Sequence, residues 1–298
     1  MFSRLARYVA LPAIGLVSLL SAPSVKAQVL APEVLVGGKT QRELALDWFR
    51  WLATTPVGPN PFSATGSLHP MMEVTGAQSF RGAQSGTPGV FFIGGTFSDI
   101  NGFSTVQRTV HIAENTSLFF PLVTNGPADN TNIPPAPPTT LTPDEMLNGG
   151  FGTDYLTSFD GSQLFTEVNG IAATGLNAHR QTFGGAGFDV VYTNTDNLNA
   201  AFGFDVTLGT GIFPSSVLSA ADGYFVALAP LSKGFHTIHF GSTTDFVAPD
   251  GTFQRTFTQD ITYLVTVGAP EPVSIALFLA PSLVVGLLLM TKTRKESV

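Results

Sequence analysis

Two apolar segments at the ends of the chain set the limits within which the rest can fold. Near the C-terminus, an uncharged apolar run extends from Val273 to Met290, and three cations follow it at Lys292, Arg294 and Lys295. About 18 such residues are close to the length that crosses the roughly 30 Å hydrocarbon core of a bilayer. Cations beside a span favour the cytoplasmic side. The sequence therefore predicts a transmembrane helix over 273–290, outside the folded domain.

The N-terminal segment has the order of parts that a secretory signal peptide has. Arg4 and Arg7 precede an apolar stretch over 8–20, and small residues lie just before a cleavage point between Ala27 and Gln28. A retained N-terminal anchor is the alternative, but the apolar stretch is short for a membrane span. We expect residues 1–27 to be removed as a signal peptide. The middle of the chain is then exported.

The C-terminal segment resembles a known sorting signal. Pro270-Glu271-Pro272, the apolar run and the basic end, paired with an N-terminal signal peptide, resemble the PEP-CTERM signal of Gram-negative bacteria. The resemblance covers about the last 30 residues, here 270–298. It implies export through the Sec translocon, cleavage by signal peptidase and processing by an exosortase, a membrane-embedded transpeptidase-like protease. It also implies a link to exopolysaccharide or biofilm production.

The terminal segment departs from that pattern in three ways: Thr291 and Thr293 interrupt the basic end, Pro281 interrupts the apolar run, and Glu296-Ser297-Val298 follow the last cation. An ordinary single-pass membrane anchor is therefore the alternative. Either interpretation leaves the folded domain outside the cytoplasm, in the periplasm, at the cell surface or outside the cell.

The middle of the chain, residues 28–269, has the size of one all-β domain. It carries eight Lys and Arg against nineteen Asp and Glu, a net charge of −11. A domain this acidic, with no cationic cluster, is not expected to bind nucleic acid or anionic lipid surfaces. The chain has no cysteine, which excludes thiol nucleophiles and thiolate metal sites. A domain of this size can bury enough apolar surface to fold without disulfides.

Composition and patterning predict strands joined by tight turns. The chain contains 25 Phe, 31 Gly and 21 Pro, residues that favour pleated, half-buried surfaces and turns. Turns are predicted at Asp160-Gly161, Asp222-Gly223 and Asp250-Gly251. This density of strands predicts a single β-sandwich or jelly-roll-like domain. The predicted strands are Val90–Phe97, Thr109–Ala113, Ser117–Val123, Gln163–Val168, Phe188–Thr193, Phe202–Leu208, Tyr224–Ala229, Phe235–Phe240 and Asp260–Val267.

Two helices are predicted to interrupt the strands. Thr40 and Glu43 have the spacing of a capping box, in which each side chain satisfies a free backbone N–H of the other residue. Leu44, Trp48 and Leu52 then lie on one apolar face until Pro56 ends the helix. A second box, Thr142-Pro143-Asp144-Glu145, has Pro at the first helical position. A short inserted helix is predicted there, after a Pro-rich loop over 125–140.

The middle of the chain is similar to a family of uncharacterised secreted bacterial proteins. The resemblance spans most of the domain and implies one shared fold, but the family has no assigned activity, so no chemistry is implied. The residues that carry it are Trp48-Phe49-Arg50-Trp51, Asn60-Pro61, Gly94-Gly95-Thr96-Phe97, Leu118-Phe119-Phe120-Pro121-Leu122, Asp222-Gly223-Tyr224, Pro230-Leu231 and His236-Thr237-Ile238-His239-Phe240-Gly241.

The sequence predicts no catalytic residue and no cofactor. The alternative to a domain without a cofactor is one that binds calcium. His236 and His239 lie three apart on a predicted strand and so face opposite ways. His111 lies between apolar neighbours and is expected to face solvent. Hard oxygen ligands of the kind that Ca²⁺ takes occur in polar loops, although such loops are often simply turn-rich. The calcium candidates are Asp129, Asn132, Asn194 and Asp196.

Carboxylates and aromatic residues leave a polysaccharide-related function open. Glycoside hydrolysis needs two acids across a sugar, and Glu73, Glu114, Glu145 and Glu167 are available, but the sequence does not pair them. Stacking of sugars on exposed aromatic rings is the second possibility, with core packing as the expected role of those rings. The rings concerned belong to Trp48, Trp51, Tyr155, Tyr192 and Tyr224.

Two functions from different classes follow. The leading hypothesis is a non-enzymatic structural or interaction protein of the cell surface or extracellular matrix, in contact with exopolysaccharide. The alternative is a secreted polysaccharide-active enzyme, a glycoside hydrolase or lyase, on the same β scaffold. Two carboxylates and an exposed aromatic ring in one concave cleft would favour the enzyme, whereas a smooth polar sheet face would favour the interaction protein.

Overall fold

A computed structural model of the chain describes residues 28–96, 105–129, 141–147, 163–193, 195–202, 214–247 and 253–268. The predicted signal peptide, the sorting signal with its transmembrane helix, and the turns at Asp160-Gly161 and Asp250-Gly251 lie outside these residues. No helix within the described ranges combines the length and the apolar character that crossing a bilayer requires.

Strands dominate the described residues, so the all-β prediction is confirmed. The strands form one four-stranded sheet in the order β1-β3-β7-β6 and one five-stranded sheet in the order β2-β9-β8-β4-β5. The pairs β1–β3 and β2–β9 are parallel and the others antiparallel. The strands are β1 Val90–Phe92, β2 Thr105–Ile112, β3 Ser117–Asp129, β4 Leu164–Val168, β5 Ile171–Ala172, β6 Arg180–Tyr192, β7 Ser215–Leu228, β8 Gly234–Val247 and β9 Phe253–Val267.

The two sheets share one apolar core. Phe120 on β3 contacts Phe240 on β8 with ring centroids 4.4 Å apart, and Phe240 stacks on Tyr263 of β9. The helix α1, Gln41–Thr54, packs on the opposite face of the four-stranded sheet, where Trp48 and Phe49 both contact Phe225 of β7. Because of this layering the four-stranded sheet is covered on both faces. The five-stranded sheet has only one face against the core.

The capping box at the start of α1 is confirmed. Glu43 N–H donates to Thr40 Oγ1 over 3.2 Å, and Thr40 N–H donates to Glu43 Oε2 over 2.8 Å. Leu44, Trp48 and Leu52 are buried, as their i, i+4, i+8 spacing predicts. The helix ends at Thr54.

The described residues contain two further α-helices, and both are short. α2, Pro143–Glu145, has the predicted capping box at Thr142 with Pro at the first position. α3, Leu198–Ala201, is capped by Asn197. The predicted strand Phe202–Leu208 is wrong at its first residue, because Phe202 belongs to the turn that closes α3, and residues 203–208 lie outside the described ranges.

The Asp222-Gly223 pair does not form the predicted turn. Both residues lie inside β7, where Asp222 pairs in register with Thr182 and Gly223 with Gln181. The physical reason is tertiary: Arg180 Nη2 donates to Asp222 Oδ2 over 2.6 Å, so the buried carboxylate gains a partner across the sheet instead of capping a turn.

Other strand limits also differ from the prediction. β1 ends at Phe92 instead of Phe97, while β2 and β6 begin at Thr105 and Arg180, well before the predicted Thr109 and Phe188. β6 is irregular between Phe183 and Phe188, where its register with β7 shifts. A run of glycines and an alanine there hides the strand from a search for alternating apolar residues.

Candidate functional site

Arg108 is a fully buried arginine at one end of the core between the sheets. It occupies an inward position of β2, in phase with Val106 and Val110. Its Nη1 donates to the carbonyl oxygen of Gly95 over 2.7 Å and to that of Gly94 over 3.1 Å. Its Nη2 and Nε donate to the carbonyl oxygen of Glu73 over 2.8 and 3.1 Å. The guanidinium therefore joins two connecting segments to the five-stranded sheet.

The polar groups next to Arg108 in this buried cluster also form hydrogen bonds within the protein. The Glu73 carboxylate accepts backbone N–H bonds from Thr75, over 2.7 Å, and from Gly76, over 3.0 Å. Gln259 Oε1 accepts from Thr96 N over 2.9 Å, and Gln259 Nε2 donates to a carbonyl of β3. Groups that already hold one another in this way are poor candidates for ligand contacts, so the cluster acts as a structural clamp.

His69 is buried beside this clamp in its neutral form. Nε2 donates to the carbonyl oxygen of Leu52 over 3.0 Å, and Nδ1 accepts from Met71 N over 3.2 Å. Burial lowers the pKa of His69 to about 4, with the nearby Arg108 guanidinium acting in the same direction. The imidazole donates a hydrogen bond to a backbone carbonyl near the C-terminal end of α1. It thereby connects the segment that contains His69 to this helix.

The outward side of the five-stranded sheet is the open surface of the domain, and we name it the outer face. Its residues alternate with the core residues of each strand, and eight of the 17 are threonine, with two carboxylates and two phenylalanines. No Lys or Arg occurs among them. The outer face consists of Thr105, Gln107, Thr109 and His111 of β2, Thr256, Thr258, Asp260, Thr262, Leu264 and Thr266 of β9, Phe235, Thr237, His239, Gly241 and Thr243 of β8, and Phe165 and Glu167 of β4.

An imidazole with a carboxylate on either side lies near the middle of the outer face. His239 Nε2 donates to Asp260 Oδ1 over 2.7 Å, and His239 Nδ1 lies 3.9 Å from Glu167 Oε2. The ring of Phe165 lies beside the imidazole, with centroids 4.8 Å apart. Between a third and just over two fifths of each polar side chain is exposed. The pairing of β4, β8 and β9 thus brings Glu167 and Asp260 together. The sequence alone did not identify these two acids as a pair.

Phe235 is the most exposed large apolar side chain of the outer face. It is 87% exposed, and Leu264 on the next strand is 38% exposed. Phe235 lies on the same side of β8 as His239 and four residues before it, which is about 13 Å along a strand. An aromatic ring exposed to this extent is a candidate contact for a ligand.

The histidines lie where the strand pattern predicts. His236 shares the inward side of β8 with Ile238 and Phe240 and bonds to Asn169 at the end of the sheet, whereas His239 faces outward. His111 is exposed. Within the described ranges, no three side chains of the His, Asp, Glu and Cys types are placed to hold one metal ion.

Of the calcium candidates, only Asp196 has a described side chain. Its Oδ1 accepts from Val57 N over 3.2 Å and from Gly58 N over 2.8 Å, and so anchors the segment that follows α1. Asp129 is the last residue of β3, while Asn132 and Asn194 lie outside the described residues. Calcium binding therefore stays a prediction.

The aromatic residues considered for a sugar platform pack in the core, as expected. Trp48, Trp51, Tyr192 and Tyr224 are all buried, and Tyr155 lies outside the described ranges. Trp48 Nε1 donates to the Ile93 carbonyl. On the outer face the ring of Phe235 is exposed and that of Phe165 is half-buried; the sequence placed both on strands without distinguishing their faces.

A cavity of about 610 Å³ lies between the N-terminal segment and the β4–β5 turn, bordered by Val29, Ile171 and His179 among mainly small apolar residues. His179 Nδ1 is buried there without a hydrogen-bond partner, and burial lowers the pKa of this residue. Neither carboxylate of the outer face borders this cavity. The described cavities therefore contain no site in which two acids face each other.

Arg108 is the main residue that sequence reasoning missed. The signal was present, because Val106, Arg108, Val110 and Ile112 alternate with polar residues and share one side of a strand. The predicted strand began only at Thr109, so Arg108 was left outside it.

A comparison with known proteins finds no matching family model, no similar curated protein and no similar solved structure. The class that the structure defines is therefore that of the fold alone, an all-β domain with one packed helix layer and one open sheet face.

Proposed function

We propose that the protein is an exported, exosortase-processed component of the cell surface or extracellular matrix with a non-enzymatic interaction role, linked to exopolysaccharide. Its folded domain is classed as a β-sandwich whose outer face is the interaction surface. The single observation that carries the interaction role is that face: a regular, polar sheet surface on which Phe235 is 87% exposed. A smooth face of this kind suits an extended polymer better than a small substrate that must be enclosed.

The start of the described chain is consistent with the proposed cleavage. Gln28 O accepts from Ala229 N over 3.0 Å, and Leu30 N donates to Ala227 O over 2.8 Å. Both bonds use atoms at or after Gln28. Removal of residues 1–27 would therefore leave the attachment of this segment to β7 intact.

The experiment is expression of the full chain in a Gram-negative bacterium that has an exosortase, followed by fractionation and mass spectrometry. The expected product begins at Gln28, ends near Pro270 and is found outside the cytoplasm. A variant with Ala in place of Pro270, Glu271 and Pro272 should accumulate as a membrane-bound precursor. Recovery of the intact, uncleaved chain from the cytoplasm would rule the proposal out.

A polysaccharide-active enzyme is the second candidate, favoured by Glu167 and Asp260 beside the half-buried ring of Phe165. The imidazole of His239, however, fills the space between the two carboxylates, where the bond to be cleaved would have to lie. A reducing-sugar assay on bacterial polysaccharides tests this candidate. Release of reducing ends that Glu167→Gln abolishes would replace the non-enzymatic role.

A further inference from the structure

We propose that the outer face binds a polysaccharide with free amino groups, a de-N-acetylated hexosamine polymer, in the region of Glu167, His239 and Asp260. This inference rests on the proposed function and names the ligand class of its interaction surface. It follows from the charge, the free hydrogen-bonding atoms and the two phenylalanine rings of the face, of which that of Phe235 is exposed and that of Phe165 half-buried.

The charge of the outer face is negative and has no cationic counterpart among its described residues. Its ionisable carboxylates, Glu167 and Asp260, both lie beside one imidazole, and the domain as a whole has nineteen acidic residues against eight basic ones. A polymer of uronic acids would be repelled by this surface. A polymer that carries ammonium groups is complementary to it.

The two carboxylates retain unused acceptor oxygens. His239 Nε2 donates to Asp260 Oδ1, and His239 Nδ1 lies near the limit of ion-pair distance from Glu167 Oε2. The other carboxylate oxygens, Asp260 Oδ2 and Glu167 Oε1, have no partner among the described residues. Each is an acceptor for the N–H of a sugar ammonium group. Neighbouring Thr262 and Gln107 lie in register across β9 and β2 and extend the row with hydroxyl and amide groups.

The rings of Phe165 and Phe235 complete the site. Phe165 lies against His239 at the carboxylates, and Phe235 lies about 13 Å further along β8. Flat pyranose rings pack their C–H groups on such aromatic faces. Exposed charge pairs are individually weak, so the affinity comes from repetition of the same contact along the polymer.

The test measures binding of the full chain, purified in detergent, to four soluble probes by isothermal titration calorimetry. The probes are oligomers of glucosamine, N-acetylglucosamine, mannuronate and glucose. We expect the glucosamine oligomer to bind at least roughly tenfold more tightly than the others, with an affinity that falls as salt is raised. Equal binding of the N-acetylated or neutral oligomers, preference for the uronate, or no binding would each overturn the inference.

Matched variants locate the site. Glu167→Gln with Asp260→Asn should remove the preference for the amino sugar, and Phe235→Ser should weaken binding. Glu114→Gln and Phe80→Ser, which change an exposed acid and an exposed ring elsewhere, should bind as the unaltered chain does. If the control variants lose binding to the same extent, the outer face is not the site.

The two proposals fail separately. Calorimetry on purified protein does not depend on export, so a chain that binds glucosamine oligomers but stays in the cytoplasm refutes only the proposed function. A chain that is exported and processed but ignores the amino sugar refutes only the ligand assignment.

Discussion

At the scale of single residues, the interior of this protein depends on polar groups that are buried with their partners. Arg108 gives its N–H groups to three backbone carbonyls and to Tyr263 Oη, and the Glu73 carboxylate takes up free backbone N–H groups. A planar guanidinium reaches several carbonyls at once, which an ammonium cannot do. The clamp thereby fixes the Gly94-Gly95 segment against β9.

Replacement of Arg108 by lysine should therefore be costly although the charge is kept. We expect Arg108→Lys to lower the free energy of unfolding by about 3 kcal/mol, because the carbonyls of Glu73 and Gly95 cannot both be reached. Urea denaturation measures the loss. Arg50→Lys, on the exposed side of α1, is the matched control and should cause a much smaller loss; similar losses in both variants would contradict the clamp.

His69 should make the stability depend on pH. Burial lowers its pKa in the folded protein to about 4, while an unfolded histidine has a pKa near 6.5. Between these values the unfolded chain binds the proton and the folded protein does not, so stability is fully present above about pH 6.5 and falls as the pH falls towards 4. The loss amounts to roughly 3 kcal/mol.

The measurement is urea denaturation of the protein and of His69→Gln over the same pH range. Other groups titrate in both proteins, so the difference between the two curves isolates His69. The steeper loss should occur in the protein that retains the histidine, and parallel curves would show that His69 does not titrate as inferred.

At the scale of elements, the N-termini of the helices and the edge strand β6 each have their own stabilising hydrogen bonds. Both helices with a capping box have the two reciprocal bonds. The edge strand β6 is covered by α1, because Arg42 Nη1 donates to Thr182 O over 2.6 Å and Arg50 Nε donates to Asp189 O over 3.1 Å. Carbonyls on a sheet edge that are already bonded cannot recruit another chain.

Loss of the first cap should weaken α1 and with it the helix layer. We expect Thr40→Ala to lower the free energy of unfolding by about 1 kcal/mol, since the N–H of Glu43 loses its acceptor. Thr54→Ala, at the other end of the same helix, removes only a hydroxyl bonded within the helix and should be close to neutral. An unchanged melting curve for Thr40→Ala would contradict the capping role.

The edge of β2 depends on a glycine. Gly76 has φ +89° and approaches the backbone of Thr109 so closely that a Cβ would lie 2.5 Å from its carbonyl oxygen. Gly86 has φ +71° with open space around it. Gly86→Ala should cost about 1 kcal/mol of backbone strain, whereas Gly76→Ala should cost about 3 kcal/mol because the strain is joined by a clash.

Thermal denaturation of the two alanine variants separates the cost of backbone strain, which both variants have, from the cost of the clash with Thr109, which only Gly76→Ala has. The difference between their melting temperatures reports the close approach of the 73–78 segment to β2. Equal losses would show that this segment does not press against the strand.

At the scale of the whole molecule, α1 and the two sheets form three layers with one open face. The layering places every large aromatic side chain of α1 against the four-stranded sheet and leaves the five-stranded sheet to present its outer face. The proposed function separates the folding of this domain from targeting by residues 1–27 and 270–298.

Truncation tests that separation. Because the apolar run over 273–290 is the proposed membrane attachment, a chain ending at Ala269 should leave the membrane fraction and retain a circular dichroism spectrum dominated by β structure. Fractionation with the full chain as control measures the first point. Persistent membrane association would contradict the proposed anchor, and a mainly helical spectrum would contradict the fold.

What the sequence determined by itself is local. Both capping boxes, the apolar face of α1 and the all-β class follow from residues within one or two turns or one strand of each other. The limits of β6 and the place of Asp222 within β7 do not, because they depend on partners that lie about 40 residues away along the chain.

Only the tertiary structure decided the site. Glu167, His239 and Asp260 come from three strands that pair side by side, and the side chains of Arg108 and Tyr263 meet across 155 residues of sequence. Alternation tells which residues share a face of one strand, but it carries no information about which strands become neighbours. That choice follows from the packing of the whole core, and it made an exposed strand surface into a candidate binding face.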